Sequence, residues 1–245
     1  MIKGYIFDYG GTLDTAGRHW GKVLWQAYGS HDVPVTEAQF REAYVYAERT
    51  LGSNRIITPD HTFRQTLDTK LRIELEFLAV QKHVSASPDG LERMRKAMLD
   101  DIYEGVKEET RRSRTVLETL HENYPLVLVS NFYGNIHTVL AELNLDGLFK
   151  DVIESAVVGV RKPDPQIFTL GVKALGIKPE EAVVVGDSYD KDIMPAKAAG
   201  CRAVWLKGEG WTDETHDESL PDAIISDLGR LLTLRAATNT PAEKG

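Results

Sequence analysis

Several side chains suited to chemistry stand where short apolar runs of the sequence end. Residues 5–7 form one such run and lead to Asp8, which is followed by Gly10, Gly11 and Thr12. A carboxylate presented in this way is suited to act as a nucleophile. Later segments present Ser130 and Asn131 after LVLV, Lys162 within RKPDPQIF, and Asp187, Ser188 and Asp192 after AVVVG.

Position 10 raises the question of how complete such a site is. A nucleophilic carboxylate works best beside a second acid that handles the proton of the leaving group. Two residues after Asp8, where this acid would be well placed, the sequence has Gly10. Glycine cannot transfer a proton. The sequence therefore fits an active enzyme, an enzyme with modified chemistry, or a protein that keeps the fold of an enzyme without its activity.

The pattern of the second half of the chain explains how these residues meet. Short apolar strands alternate with helices, which predicts a parallel sheet covered on both faces. The predicted strands are 2–8, 126–129, 151–159, 182–187, 203–206 and 223–226, and the helices between them are 113–123, 134–144, 165–176 and 190–199. Ligands bind such sheets at the carboxyl ends of the strands, so the polar residues above are expected on one rim.

A helical block interrupts this alternation after the first strand. Residues 16–108 contain four amphipathic helical patterns; Thr36 and Gln39 form a capping box before the second, and Pro88 opens the fourth. We therefore predict a core of residues 1–15 and 109–235, an inserted helical domain of residues 16–108, and a disordered tail of residues 236–245.

Composition excludes several classes of function. The 245-residue chain has a net charge of −8 and one cysteine, Cys201. The negative charge argues against a broad surface for nucleic acid or anionic membrane, and one cysteine allows no disulfide framework within the chain. No signal-peptide pattern or membrane-spanning run is found. These features predict a soluble, cytoplasmic protein without nucleic-acid or membrane partners, and they leave the oligomeric state open.

Four segments of the chain closely resemble the haloacid dehalogenase (HAD) superfamily of hydrolases: FDYGGTLDT, VLVSN, VRKPDPQIF and VVVGDSYDKDIMPAKAAG. Together with the alternating pattern they cover the whole sheet domain, and the helical insert has the position of a C1-type cap. The resemblance implies an α/β fold with a Rossmann-like three-layer core and an inserted α-helical cap. It also implies a Mg²⁺ cofactor and phosphoryl transfer through an aspartyl-phosphate.

The resemblance also implies a role for each residue of the rim. Asp8 would be the nucleophile, with Ser130 and Lys162 as its catalytic partners. The phosphate would be held by Gly11, Thr12, Ser130, Asn131 and Lys162. The metal would be held by Asp8, the backbone carbonyl of Gly10 and Asp187, with Asp192 and Ser188 behind these ligands. The substrate would be a small phosphorylated molecule, or a phosphonate.

Gly10 leaves four explanations open, because most phosphatases of the superfamily have an aspartate there. That aspartate contributes acid–base catalysis worth ~10²–10⁴-fold. Asp14 or His19 substitutes for it, or the substrate has a good leaving group. Alternatively a cap lysine forms a Schiff base, as in phosphonoacetaldehyde hydrolases, and the available lysines are Lys22, Lys70 and Lys82. In the fourth explanation the protein binds phosphorylated ligands with little or no turnover.

The sequence favours a Mg²⁺-dependent phosphoric monoester hydrolase of the HAD type. The metal-independent dehalogenase branch is disfavoured because Asp187 and Asp192 are both present. Two loops have positions near the expected cleft, residues 52–63 with Arg55 and His61 and the acidic loop 207–218, but the sequence gives neither a specific role. It does not identify the substrate.

Overall fold

Short runs of apolar residues form a six-stranded parallel sheet with the strand order β3-β2-β1-β4-β5-β6. The computed structural model describes residues 1–212 and 214–238. The strands are β1 (Gly4–Phe7), β2 (Leu126–Ser130), β3 (Asp151–Glu154), β4 (Ala182–Gly186), β5 (Arg202–Leu206) and β6 (Ala223–Ile225). Every residue of β1, β2 and β4 is buried, as expected for a sheet covered on both faces. The predicted α/β sheet is confirmed.

The strand order decides which loops surround the first motif. β1 pairs with β2 on one side and with β4 on the other, in parallel register. The carboxyl ends of these three strands therefore lie together. Asp8 is fixed just beyond β1 because its backbone N–H donates to the Val185 carbonyl of β4 at 3.0 Å.

Nine α-helices are described, and the insert contains the first three and part of the fourth. The four are α1 (Trp20–Ser30), α2 (Glu37–Ser53), α3 (Phe63–Val80) and α4 (Pro88–His121). The remaining helices are α5 (Ile136–Glu142), α6 (Ser155–Val158), α7 (Gln166–Leu175), α8 (Met194–Ala198) and α9 (Arg230–Thr238), and a π-helical turn at Tyr189–Ile193 precedes α8. In the described ranges, no helix is both long enough and apolar enough to cross a membrane.

The helical insert has its own apolar interior. The predicted capping box of Thr36 and Gln39 begins α2, and Pro88 occupies the first turn of α4. Tyr28, Phe40 and Leu71 are fully buried among the helices. Helices of this kind gain most of their stability from packing such stripes against one another. We refer to α1, α2, α3 and the first half of α4 as the cap.

α4 differs from the prediction. The sequence suggested a fourth helix of the insert, opened by Pro88, and a separate helix at 113–123, with the domain boundary at 108/109. The structure has one helix of 34 residues, and the boundary falls inside it. Thr110 and Ser113 take positions of the buried stripe, where Thr110 Oγ1 donates to the Val106 carbonyl and Ser113 Oγ donates to the Leu13 carbonyl. Because these two buried residues are polar, the sequence does not show the apolar periodicity of one continuous helix.

Two smaller predictions also need correction. The strand predicted at 151–159 ends at Glu154, and α6 follows at once, with Gly159 at its end in the left-handed conformation (φ 73°). The predicted disordered tail began at residue 236, whereas α9 continues to Thr238. The rest of that tail, residues 239–245, lies outside the described residues.

Candidate active site

Asp8 and Asp192 share one buried lysine at the rim of the sheet. The Lys162 ammonium lies 2.6 Å from Asp8 Oδ1 and 2.7 Å from Asp192 Oδ1. Burial lowers the pKa of Lys162, but the two carboxylates outweigh burial and raise it, so the side chain stays a cation. Burial raises the pKa of Asp8 to about 6 against the opposing effect of Lys162. The lysine therefore holds the Asp8 carboxylate in place and partly offsets its charge.

The loop after Asp8 closes tightly over Asp187. Gly11 has φ 97°, and a Cβ there would lie 2.4 Å from both carboxylate oxygens of Asp187. Thr12 Oγ1 donates to Asp187 Oδ1 at 3.0 Å and accepts from the Asp187 N–H at 3.0 Å. Only glycine fits at position 11, because both the conformation and the close approach exclude a side chain. Thr12 thus links the loop after β1 to the loop after β4.

The carboxylates of Asp8, Asp187 and Asp192 form a cluster in which one oxygen of each lies within 4.8 Å of the other two. Burial and the two neighbouring carboxylates hold the pKa of Asp187 well above its usual range. Three carboxylates around the single ammonium of Lys162 leave an excess of negative charge that a cation would relieve. The oxygen donors suit a hard divalent cation. Asp192 is the poorest ligand, since its second oxygen accepts from the Ser188 N–H at 3.0 Å.

The side chain of Asn131 forms two hydrogen bonds with the backbone of Lys162. Its Nδ2 donates to the Lys162 carbonyl at 3.0 Å, and its Oδ1 accepts from the Lys162 N–H at 2.9 Å. Ser130 ends β2, the strand that pairs with β1, and is buried. The structure brings both residues to the predicted rim. Their contact with a phosphate group stays a prediction.

Gly10 has room for a side chain. A Cβ built there would lie 3.8 Å from Trp20 Cδ1 and Nε1, which is ordinary van der Waals contact. Trp20 Nε1 donates to Asp14 Oδ2 at 3.0 Å, and the Gly11 N–H donates to Asp14 Oδ1 at 2.7 Å. Burial raises the pKa of Asp14 to about 7. Both oxygens of Asp14 thus hold the loop and the first cap helix, a positioning task rather than contact with a substrate.

His19 is poorly suited to replace the missing acid. It caps α1 by accepting from the Gly21 N–H at 3.0 Å, and its ring packs against Tyr44 and Trp211. Burial and the nearby positive charges of Lys191 and Lys70 lower its pKa to about 4. A neutral imidazole whose Nδ1 is engaged has no proton to give from that atom.

The three cap lysines have different surroundings. Lys70 is buried and pairs with Glu48, whereas Lys82 is exposed and Lys22 is half-buried. Burial lowers the pKa of Lys70, but Glu48 outweighs burial and leaves it well above its usual range. A permanently protonated, ion-paired lysine is a poor Schiff-base nucleophile.

Two contacts between the cap and the core were not predicted from the sequence. Trp211, in the acidic loop after β5, packs against Tyr44, and its carbonyl accepts from Arg41 Nη2 at 3.0 Å. Glu142, at the end of α5, accepts from the Phe63 N–H at the start of α3 and from Tyr103 Oη at 2.8 Å. The local sequence around Trp211 and Glu142 contains no signal that identifies a partner so far away in the chain.

The loop of residues 52–63, which was predicted near the cleft, makes hydrogen bonds with the core. The His61 carbonyl accepts from Asn135 Nδ2 at 2.8 Å, and the Pro59 carbonyl accepts from Thr138 Oγ1 at 2.6 Å. The loop before α3 is therefore fastened to the start of α5. Arg55 is exposed.

The sequence matches the family profile of haloacid dehalogenase-like hydrolases over residues 2–200. A glyceraldehyde 3-phosphate phosphatase of Pyrococcus furiosus is 37% identical over 101 residues, which cover 41% of this chain and 42% of that protein. A phosphoserine phosphatase of Thermus thermophilus is 41% identical over 88 residues, which cover 36% of this chain and 34% of that protein. The chain thus spans less than half the length of these curated relatives.

Solved structures of low sequence identity share the fold. One is YfnB of Bacillus subtilis, whose crystal structure is described as bound to magnesium. It aligns with 95% of this chain and 98% of its own length, with a TM-score of 0.58 and 19% sequence identity. The agreement covers both the sheet domain and the cap.

Proposed function

Because the chain belongs to the haloacid dehalogenase-like hydrolases, we propose that it is a Mg²⁺-dependent hydrolase of small phosphate monoesters that uses Asp8 as its nucleophile. The observation that carries the proposal is the buried Lys162, which contacts Asp8 and Asp192 at 2.6 and 2.7 Å. A charged lysine is rarely buried unless it is paired, and here the pair stands at the carboxyl end of the central strand. The phosphatase relatives support the substrate class.

In the proposed reaction, the Asp8 carboxylate attacks phosphorus and the bond from phosphorus to the leaving oxygen breaks. Water then hydrolyses the aspartyl-phosphate, releasing phosphate and restoring the carboxylate. Lys162 keeps the carboxylate oriented and offsets the negative charge of the incoming phosphate. Ser130 would bind a transferring oxygen. The Gly11 N–H donates to Asp14 Oδ1 and the Thr12 N–H donates to the Tyr9 carbonyl, so neither of these two groups is open to the phosphate in this structure, contrary to the sequence prediction.

The metal would be held by Asp8, Asp187 and the backbone carbonyl of Gly10. When bound, Mg²⁺ neutralises charge that would otherwise keep the phosphate and the carboxylate apart. Asp192 would act behind these ligands, because it orients Lys162 and accepts from the Ser188 N–H. The magnesium described for the Bacillus subtilis structure supports the choice of cation.

Gly10 sets the expected substrate range. With no acid at this position, esters with poor leaving groups turn over slowly, and aryl phosphates or acyl phosphates turn over faster. The ion-paired state of Lys70 argues against the alternative of a Schiff-base phosphonate hydrolase. The remaining alternative, a phosphate-binding protein without turnover, makes the opposite prediction in the experiment below.

The experiment measures hydrolysis of p-nitrophenyl phosphate and acetyl phosphate with and without Mg²⁺. We expect turnover that requires Mg²⁺ and is abolished in Asp8→Asn, while the matched control Asp146→Asn, an exposed aspartate far along the sequence, keeps full activity. Absence of turnover in the wild-type protein, with Mg²⁺ binding intact by calorimetry, would refute the hydrolase proposal. Unchanged activity in Asp8→Asn would refute the nucleophile.

A further inference from the structure

A second charged cluster lies in the cap, outside the catalytic rim. Lys70 of α3 forms an ion pair with Glu48 of α2, and its ammonium lies 4.3 Å from the centre of the Tyr44 ring. The side chain of Lys70 is 9% exposed, whereas that of Glu48 is 38% exposed. Removing a lysine from water costs free energy that a single ion pair seldom recovers, so this buried lysine with a half-exposed partner suggests a function.

Contacts from the core place this cluster opposite the catalytic rim. Tyr133, three residues after Ser130, has its hydroxyl 3.4 Å from both carboxylate oxygens of Glu48. The positive charge of Lys191, four residues after Asp187, adds to that of Lys70 in lowering the pKa of Glu48. The loops that carry Tyr133 and Lys191 follow β2 and β4, the two strands that flank β1. Glu48 therefore contacts one of the two loops that border the Asp8 loop, and a leaving group that extends from Asp8 toward the cap would meet it.

The group that this cluster offers to a ligand is a carboxylate. The Lys70 ammonium is buried against Glu48 and the Tyr44 ring, so it is not accessible to a second anion. Burial alone would raise the pKa of Glu48, but Lys70 outweighs it and leaves the pKa below its ordinary value. Glu48 is thus a fixed, ionised hydrogen-bond acceptor, with the Tyr133 hydroxyl beside it. Lys191 is exposed at the core side.

We propose that Glu48, held by Lys70 and Tyr133, selects phosphate esters whose leaving group carries a hydrogen-bond donor, a hydroxyl or an ammonium, and discriminates against leaving groups that carry a carboxylate. The inference rests on the proposed function, because it takes the phosphate end of the ligand to lie at Asp8. A charge-assisted hydrogen bond to Glu48 attracts a donor, and two carboxylates at the same place repel each other.

The test measures binding separately from turnover. In the Asp8→Asn background with Mg²⁺, calorimetry gives the Kd of glycerol 1-phosphate, phosphoethanolamine, propyl phosphate and phosphoglycolate. We expect the two donor-bearing esters to bind tighter than propyl phosphate, and phosphoglycolate to bind weakest. Adding Glu48→Gln should weaken the donor-bearing esters about tenfold, leave propyl phosphate unchanged and strengthen phosphoglycolate. The matched control is Glu42→Gln, an exposed glutamate on the same helix.

The outcomes separate this inference from the proposed function. Equal weakening of all four esters by Glu48→Gln, or a wild-type preference for phosphoglycolate, would overturn the inference. If Glu48→Gln unfolds because Lys70 loses its partner, the double variant Glu48→Gln/Lys70→Met removes both charges and must show the same loss of donor preference. Selective binding without turnover in the wild-type protein would refute the hydrolase and leave the role of Glu48 intact. Of the donor-bearing esters, the one with the larger Glu48→Gln effect shows whether the hydroxyl or the ammonium is recognised.

Discussion

Restoring an acid at position 10 should raise the turnover of esters with poor leaving groups by about 10²–10⁴-fold, the usual contribution of general acid–base catalysis. The structure allows the substitution. The backbone of Gly10 is not in the left-handed region, and a Cβ would meet Trp20 at 3.8 Å without a clash. Gly10→Asp should therefore leave the neighbouring loop in place and add a carboxyl group next to the carboxylates that we propose as metal ligands.

The magnitude should depend on the leaving group. A p-nitrophenolate departs without protonation, so Gly10→Asp should change kcat/KM little for p-nitrophenyl phosphate. A glycerol alkoxide needs a proton, so glycerol 1-phosphate should show the full gain. The assay compares both substrates at saturating Mg²⁺, because another carboxylate beside Asp8 and Asp187 adds repulsion that only the cation offsets. Gly10→Asn is the matched control, with the same shape and no acid.

Two results would refute this reasoning. An equal gain with both substrates, or a gain of the same size in Gly10→Asn, would show that the new side chain acts through the metal or the loop and not through a proton. No gain for glycerol 1-phosphate would show that another group of the protein already supplies the proton.

Three further predictions concern the loop, the cap and their junction. Gly11→Ala should lower kcat roughly 10²-fold or more with retained folding by circular dichroism, because its Cβ would displace the Asp187 carboxylate from a distance of 2.4 Å. Burial raises the pKa of Glu74 from 4.5 to about 7, so the folded wild type binds a proton that the unfolded chain releases. Relative to Glu74→Gln, its free energy of unfolding should be highest below about pH 4.5 and fall by roughly 3 kcal/mol as pH rises through 7, measured by urea titration at several pH values. A pH-independent difference would contradict that assignment. Glu142→Ala should lower the free energy of unfolding by about 1–2 kcal/mol because the N–H of Phe63 loses its charged partner, and an unchanged urea midpoint would contradict it.

The sheet and the rim could be predicted because both follow from local pattern. Short apolar runs identified the strands of a parallel sheet, and the carboxyl ends of such strands meet at one edge. Asp8, Ser130 and Asp187 each stand at the end of one of these runs. Their mutual arrangement was thus implied by sequence position alone, and the structure brings them together.

The parts that could not be predicted depend on partners far away in sequence. Ser113 is a polar residue at a buried position of α4, and its reason for being there is the Leu13 carbonyl 100 residues earlier. Lys70 and Glu48 looked like ordinary charges of amphipathic helices, and only the packing of α2 against α3 shows that the lysine is buried. Asn131 belonged to the predicted site, yet its amide bonds to the Lys162 backbone could not be inferred from the motif.

The continuous helix α4 has a mechanical consequence. Its 34 residues make a rod about 51 Å long that is shared by the cap and the core. An unbroken helix is stiff, so α4 connects the cap rigidly to the core. The rod ends at His121, and β2 begins at Leu126 and ends at Ser130. Any displacement of the cap would therefore be transmitted along α4 to the strand that ends at Ser130.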